Sequence, residues 1–203
     1  MNDIPNAASL REHIGAIGTV AERKVLPRLD RHCRAFIGLS PFLVLATADA
    51  DGRVDASPRG DPPGFVRVLD DSTLLLPDRP GNNRVDSFGN ILAASGVGLI
   101  FFVPGIDETL RVNGTARLLT DATLLADSVV AGKPPKTGLV ITIAEVFFHC
   151  AKALRRAQLW NAAAQVERSS FPSLGRIMAE QVPGSTVEEA ERRIEVSYRK
   201  RMY

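Results

Sequence analysis

The sequence predicts a mainly β fold with flanking helices, an antiparallel barrel rather than a βαβ sheet. Short β-rich runs at regular spacing, with turn residues between them, fill the middle of the chain. Helical periodicity dominates the two ends instead. Nucleotide-binding and hydrolase α/β folds also lack their usual marks, since no GxGxxG opens a helix and neither GxxxxGK[ST] nor a GxSxG elbow occurs.

Taken in order, residues 1–38 predict two helices broken near Gly18 or Pro27. Ser9 is a candidate cap ahead of Leu10, Ile14 and Ile17, which fall on one face; Val25, Leu29, Cys33 and Phe36 recur on the second segment. From Pro41 the runs FLVLATA, RVDASPR, FVRVL and TLLLP read as a meander of hairpins, divided by ADADG, GDPPG and LDDS. DRPGNNR then leads into a helix over 85–94 with Val85, Phe88, Ile91 and Leu92 inward, and GLIFFV follows as a buried strand. Between Thr109 and Thr120, Leu110, Val112, Ala116 and Leu118 alternate with Thr109, Arg111, Asn113, Thr115 and Arg117, as in a strand with one core face and one polar face. Asp121 caps a short helix that Pro134 and Pro135 have stopped, and 137–148 is apolar on both faces. These runs amount to six or seven strands. Beyond Trp160 the chain reads as helix, with Ser185 and Glu188 as a capping box and Val187, Ala190, Ile194 and Tyr198 as the inward stripe of the last element. The whole is expected to form one domain: N-terminal helices over 1–38, a barrel over 41–160 and a helical extension over 161–203.

Composition narrows the function classes. With 203 residues, 45% of them hydrophobic, the chain is long enough to bury a substantial core. A net charge of +2 gives no global reason to bind nucleic acid or an anionic membrane. The longest uncharged stretch is broken by glycines and Pro104, which argues against a transmembrane span, and the N-terminus lacks a signal-peptide pattern, so a cytoplasmic protein is expected. Cys33 and Cys150 suit neither a disulfide framework nor a zinc set, and His13, His32 and His149 are too scattered for a metal site.

Chemistry concentrates in Ser57, Arg59, Arg79, Asn82, Asn83 and Arg84. In a strand Ser57 and Arg59 share a face about 7 Å apart, and Pro58 places that strand at an edge or near its end. The RPGNNR turn delivers Arg84 and the free N–H groups of the following helix to one end, where an anion is favoured. Two basic clusters on adjacent elements can converge on a phosphate, which the guanidinium fork grips bidentately. The competing reading pairs these arginines with Asp55, Asp61, Asp78 and Asp86 as surface ion pairs. The polar face of Thr109, Arg111 and Asn113 meets either the same ligand, or solvent or a subunit contact. In FFHCAKALRRAQLW, His149 and Cys150 point opposite ways along a strand, which disfavours a thiolate nucleophile; a locally hydrogen-bonded His149 and a packed Cys150 are expected.

The motifs PFLVLAT, DGRVDASPRGDPPGF, LLLPDRPGNNR, VGLIFFVPG, TLRVNGTARLLTD and FFHCAKALRRAQLW, in this order, resemble the pyridoxamine 5'-phosphate oxidase-like FMN-binding split-barrel flavoproteins, in a bacterial subgroup of probable FMN-dependent enzymes. The resemblance runs from about Pro41 to Trp160. It implies a six-stranded antiparallel split β-barrel, a homodimer, and one FMN per subunit in the cleft between chains. It further implies that Ser57 and Arg59 lie beside the flavin phosphate and ribityl chain, that Asn83 and Arg84 close on the phosphate, and that the backbone of Leu76 and Pro77 runs along the ring. Thr109 matches a flavin-contacting position, with Arg111 on the same face; Lys152, Arg156 and Trp160 match the subgroup motif without an assigned role. The true oxidases carry a C-terminal Arg-x-His that holds the pyridoxamine substrate, and SLGRIMAEQ and ERRIEVSYRKRMY contain none. The expectation is therefore an FMN-dependent oxidoreductase on a small substrate other than a B6 phosphate. The rivals are a non-catalytic flavin-binding or sensing module, a split barrel using deazaflavin or haem, and a purely structural dimer.

Overall fold

The computed structural model describes residues 3–203; Met1 and Asn2, the first residues of the expected N-terminal helical segment, lie outside them. Seven strands form one antiparallel sheet: β1 (Phe42–Ala48), β2 (Val54–Gly60), β3 (Arg67–Val68), β4 (Thr73–Pro77), β5 (Gly96–Val103), β6 (Ile106–Leu119) and β7 (Gly138–His149), in the order β2-β1-β5-β6-β7-β4-β3. The count is seven rather than the six that the resemblance implies, with β3 the shortest. Of the run FVRVL only Arg67 and Val68 pair, opposite Leu75 and Leu74, because Pro62, Pro63 and Gly64 precede the run and the turn at Asp70 and Asp71 ends it. β2 and β3 are the two edges and do not pair with each other.

The sheet wraps a core to which β1 contributes Leu43 and Leu45, β4 Leu74 and Leu76, and β6 Leu110 and Val112, all at most 2% exposed. Strands from both halves of the sheet thus share one apolar interior, each fully buried aliphatic side chain contributing about 1.5–3 kcal/mol. β6 and β7 are the longest pair, and their register slips at Asn113, which faces Glu145 while Gly114 faces Ile143; Ala144 is the extra residue of a bulge.

The helices are α1 (Ala7–Ile14), α2 (Thr19–Arg23), α3 (Arg31–Leu39), α4 (Asp86–Ala93), α5 (Ala122–Leu125), α6 (Lys152–Ala157), α7 (Leu174–Gln181) and α8 (Val187–Lys200). The N-terminal segment holds three helices, not two, because the chain breaks both between Gly15 and Gly18 and at Pro27. Asn6, not Ser9, caps α1: its side-chain oxygen accepts the Ser9 N–H at 3.0 Å. The stripe of Leu10, Ile14 and Ile17 is exposed rather than packed. α3 is the helix that docks. Asp30 caps it by accepting the His32 and Cys33 N–H groups, and it buries Cys33, Phe36 and Ile37. Phe36 meets Phe148 edge to face at 5.3 Å.

α4 is turned relative to expectation. Val85 and Leu92 are 59% and 76% exposed, whereas Ser87 and Ile91, one turn apart, face inward. The helix begins at Asp86 with Val85 in the left-handed region, and the buried Ser87 hydroxyl has polar partners waiting for it on β2. At the other end the capping box is Thr186 and Glu189, one residue beyond Ser185 and Glu188. Ala190 of α8 is buried, Gly175 of α7 lies against Glu191, and Tyr198 is exposed rather than inward. No helix among the described residues is long and apolar enough to cross a membrane.

Candidate functional site

Alternation along β2 puts Asp55, Ser57 and Arg59 on one half-buried face, and the edge position tolerates Pro58, which has no N–H to donate. The Arg59 guanidinium donates to Ser57 Oγ at 2.6 Å and to Ser87 Oγ at 3.2 Å, and the Ser87 hydroxyl donates to Asp55 Oδ2 at 2.6 Å. Among the described residues Arg59 therefore hydrogen-bonds to two hydroxyls and the Pro58 carbonyl and makes no ion pair with a carboxylate, although Asp78 and, through Ser87, Asp55 lie within its electrostatic reach.

The segment between β4 and α4 forms the opposite wall. Asp78 N–H donates to the Thr137 carbonyl at 2.9 Å, fixing the start of this loop to the chain entering β7. Burial raises the proton affinity of the Asp78 carboxyl, an effect partly offset by Arg59 and Arg79. Arg79 donates to Asp61 Oδ2 at 2.5 Å and to the Ser128 carbonyl at 2.8 Å, in a pair whose side chains are 15% and 1% exposed. Asn82 accepts the Arg84 N–H at 3.0 Å, a side-chain-stabilised turn. Asn83 and Val85 follow with φ of 59° and 54°. Asparagine tolerates the left-handed region, but it is strained for a β-branched valine, which marks this loop as one whose shape is imposed. Arg84 donates to Asp86 Oδ2 at 2.7 Å, with its side chain 71% exposed. No side chain caps α4, leaving its first N–H groups free.

These walls enclose a cavity of about 280 Å³ that all six residues of the predicted cluster line: Ser57, Arg59, Arg79, Asn82, Asn83 and Arg84. The ion-pair reading holds for Arg79 with Asp61 and for Arg84 with Asp86, but not for Arg59. The arrangement can take an anion, with two guanidinium groups within reach, an uncapped helix end and flanking hydroxyl and amide groups. Sequence reasoning missed Ser87, whose hydroxyl couples the two walls. The available signal was spacing: Ser87 stands one turn ahead of the core residue Ile91 on the same helix face.

The remaining candidates lie elsewhere. Leu76 and Pro77 are buried in the ladder opposite Leu139 and Gly138, and they lead into the cavity at Asp78 without lining it. Thr109 is 4% exposed, opposite His149. Arg111 stacks over Phe147 at 5.4 Å and donates to Asn113 Oδ1 at 3.2 Å. Lys152 and Arg156 are exposed on α6, and the Trp160 indole N–H donates to the Ile106 carbonyl at 2.9 Å. Within one chain this second group is separated from β2 by β1 and β5, and none of it lines the cavity. His149 stacks on Phe147 at 5.1 Å, and burial, then Lys24 and Arg111, lower its proton affinity. Cys150 is exposed rather than packed, with its thiol pKa lowered chiefly by the Lys152 backbone N–H.

Comparison with solved structures finds similarity to HupZ of Group A Streptococcus, at a TM-score of 0.48 and 18% identity over 59% of this chain and 93% of that one. An FMN-binding protein from Syntrophomonas wolfei gives a TM-score of 0.46 and 16% identity over 58% and 83%. General Stress Protein 26 from Bacillus anthracis gives 0.43 and 15% over 56% and 88%. Comparison with curated proteins yields no match. Residues 29–150, from the start of the α3 segment to the end of β7, match the family described as pyridoxamine 5'-phosphate oxidase. That span is more than half of the sequence and contains both the wrapped sheet and the arginine-lined cavity, and the chain belongs to the pyridoxamine 5'-phosphate oxidase family.

Proposed function

We propose that the protein is an FMN-dependent oxidoreductase acting on a small substrate, a cytoplasmic homodimer with its cofactor between the two copies. The observation that carries the reading is the convergence of Ser57, Arg59, Asn83 and Arg84 on one cavity at the uncapped end of α4. Arg59 suits a phosphate because, among the described residues, its guanidinium hydrogen-bonds to hydroxyl and carbonyl oxygens and to no carboxylate, so a dianion gains a charge-assisted partner without displacing an ion pair. FMN held there supplies the redox chemistry.

The side chains of this chain bind and orient. Arg59 and Arg84 neutralise the phosphate, while Ser57 and Asn83 add hydrogen bonds. Arg79, locked to Asp61, keeps the loop in place. The backbone at Leu76 and Pro77 borders the ring. Thr109, Arg111, Lys152, Arg156 and Trp160 of the second copy complete the cleft, which accounts for two groups that one chain keeps apart. The absence of an Arg-x-His after Trp160 argues against B6 chemistry, so no appreciable oxidation of pyridoxine 5'-phosphate is expected; robust turnover of that compound would overturn this part of the reading.

The deciding experiment is the absorption spectrum of the purified protein, with the released chromophore identified by mass and the spectrum repeated after anaerobic NADH or NADPH. Oxidised-flavin bands, a mass of FMN and bleaching by the nicotinamide are expected. A colourless protein that takes up no FMN would sink the cofactor assignment, and a bound flavin that no reductant bleaches would sink the oxidoreductase.

A further inference from the structure

The ten residues 192–201, at the C-terminal end of α8, hold five of the chain's 25 basic side chains and one of its 23 acidic ones, a net charge of +4 that leaves the rest of the chain at −2. Charge along α8 is segregated by the role of each side chain. Near its start, Glu189 accepts the Thr186 N–H in the capping box, and Glu191 accepts the Ser173 hydroxyl at 2.6 Å from the head of α7. Arg199 and Lys200, in the last turn, complement the helix dipole. Arg192 and Arg193 stand about two turns earlier, where that effect has faded. Arg192 follows Glu188 at the spacing of an intrahelical ion pair, yet among the described residues the side chains of Arg192 and Arg201 make no hydrogen bond or ion pair, and Arg193 reaches Glu189 only at 3.9 Å. These three arginines, with Val196, line one open cavity of about 280 Å³.

We propose that Arg192, Arg193 and Arg201 form a binding site for a phosphate group of headgroup size, on an element separate from the cluster at α4 and beyond the 29–150 span of the family match. Like charges gathered around one opening raise the local potential, and an anion seated there relieves their repulsion. Guanidinium forks grip the oxygens of a phosphate bidentately, and a multiply charged phosphate answers three cations better than a single carboxylate does. The cavity is smaller than those that enclose drug-sized ligands, which limits its occupant to the phosphate and the atoms next to it. A soluble phosphate ester and the headgroup of a phospholipid present the same chemistry to this site. The site stands independently of the flavin reading, since it shares no residue with the first cavity.

The test is calorimetric titration of the full chain, with FMN added in excess, with inorganic pyrophosphate. Binding is expected, and the double variant Arg192→Gln/Arg201→Gln is expected to weaken it about tenfold or more through the loss of two charge-assisted contacts. Arg199→Gln/Lys200→Gln removes the same net charge from residues that do not line the cavity, and is expected to weaken binding by less than about threefold. All four side chains are exposed, so both variants keep their fold, which their thermal transitions verify. Co-sedimentation with vesicles of phosphatidylcholine, alone and mixed equally with phosphatidic acid, separates the sources. Capture by the acidic vesicles that the Arg192→Gln/Arg201→Gln variant loses supports the site with a lipid headgroup as its phosphate; pyrophosphate binding without vesicle capture supports it with a soluble ester. Absence of binding to either probe, or equal weakening by the two double variants, overturns the proposal. Loss of pyrophosphate binding in Arg59→Ala but not in Arg192→Gln/Arg201→Gln places the anion at α4 and overturns it as well.

Discussion

Arg59 and Arg84 line the same cavity but are held differently, and that difference sets the size of their effects. Arg59 already points at the space between Ser57 and Ser87, so a phosphate gains its charge without breaking an ion pair. Arg84 must first leave Asp86. Arg59→Ala is therefore expected to weaken FMN by about 10- to 100-fold, and Arg84→Ala by about tenfold or less. Asp86→Asn should act in the opposite direction, tightening FMN severalfold by freeing Arg84 and removing a negative charge beside the phosphate. Fluorescence titration of FMN measures all three, and a weaker Asp86→Asn would contradict the pairing. Away from the site, Cys33 is 1% exposed, and burial pushes its thiol from 9.0 up to about 11. The folded protein thus holds a proton that the unfolded chain releases first. This contribution to stability is intact below pH about 9 and is lost as pH rises toward about 11, by about 2–3 kcal/mol at most. Urea unfolding of the wild type against Cys33→Ala across that window isolates it: the wild type is expected to lose stability relative to the variant, and parallel curves would refute the assignment.

At the scale of elements, the β6–β7 pair depends on one glycine. A Cβ at Gly114 would overlap the Thr142 carbonyl oxygen, a backbone atom of the ladder that cannot rotate away. Gly114→Ala is expected to cost about 2–4 kcal/mol, as overpacking against fixed backbone does, and to lower the thermal midpoint by several degrees; an unchanged midpoint would show that the bulge at Ala144 absorbs the methyl group. The sequence does not announce this crowding, because Gly114 sits in an otherwise alternating run where its neighbours already account for the strand. What was legible has a common cause. β1 and β4 have the predicted limits since apolar runs bounded by turn residues admit one register, and the six-residue cluster was visible because its polar and basic residues fall in two short motifs, SPR on β2 and RPGNNR before α4. What was not legible depended on degeneracy or distance. Ser185 and Thr186, followed by Glu188 and Glu189, offer two equivalent capping boxes, and packing of α8 on α7 chose the second. Thr109 reads as polar by alternation yet is buried, and Tyr203 reaches Asp61 across 142 residues, a contact with no local signature.

For the whole molecule, the separation of the two groups of candidate residues becomes the argument for assembly. Arg59 and the 79–85 loop border one cavity, whereas Thr109 and Arg111 on β6 and the residues of α6 do not line it, and β1 and β5 stand between β2 and β6 in the sheet. A two-fold pair of chains solves this if the β6–β7–α6 surface of each copy covers the cavity of the other, because an isologous interface forms two identical sites, each made of both chains. The consequence is non-additive and testable by mixing. Arg59→Ala removes the phosphate side of both sites in its own dimer, and Arg111→Glu spoils the opposite side of both, so each variant alone is expected to bind little FMN. Co-expressed, heterodimers place both substitutions in one site and leave the other intact, so flavin bound per heterodimer is expected to recover to about half the wild-type value. A site contained within one chain predicts no recovery at all, because every chain in the mixture carries a defect. Absorbance of the separated heterodimer at the flavin band therefore decides whether one copy of this chain can hold its cofactor or two are required.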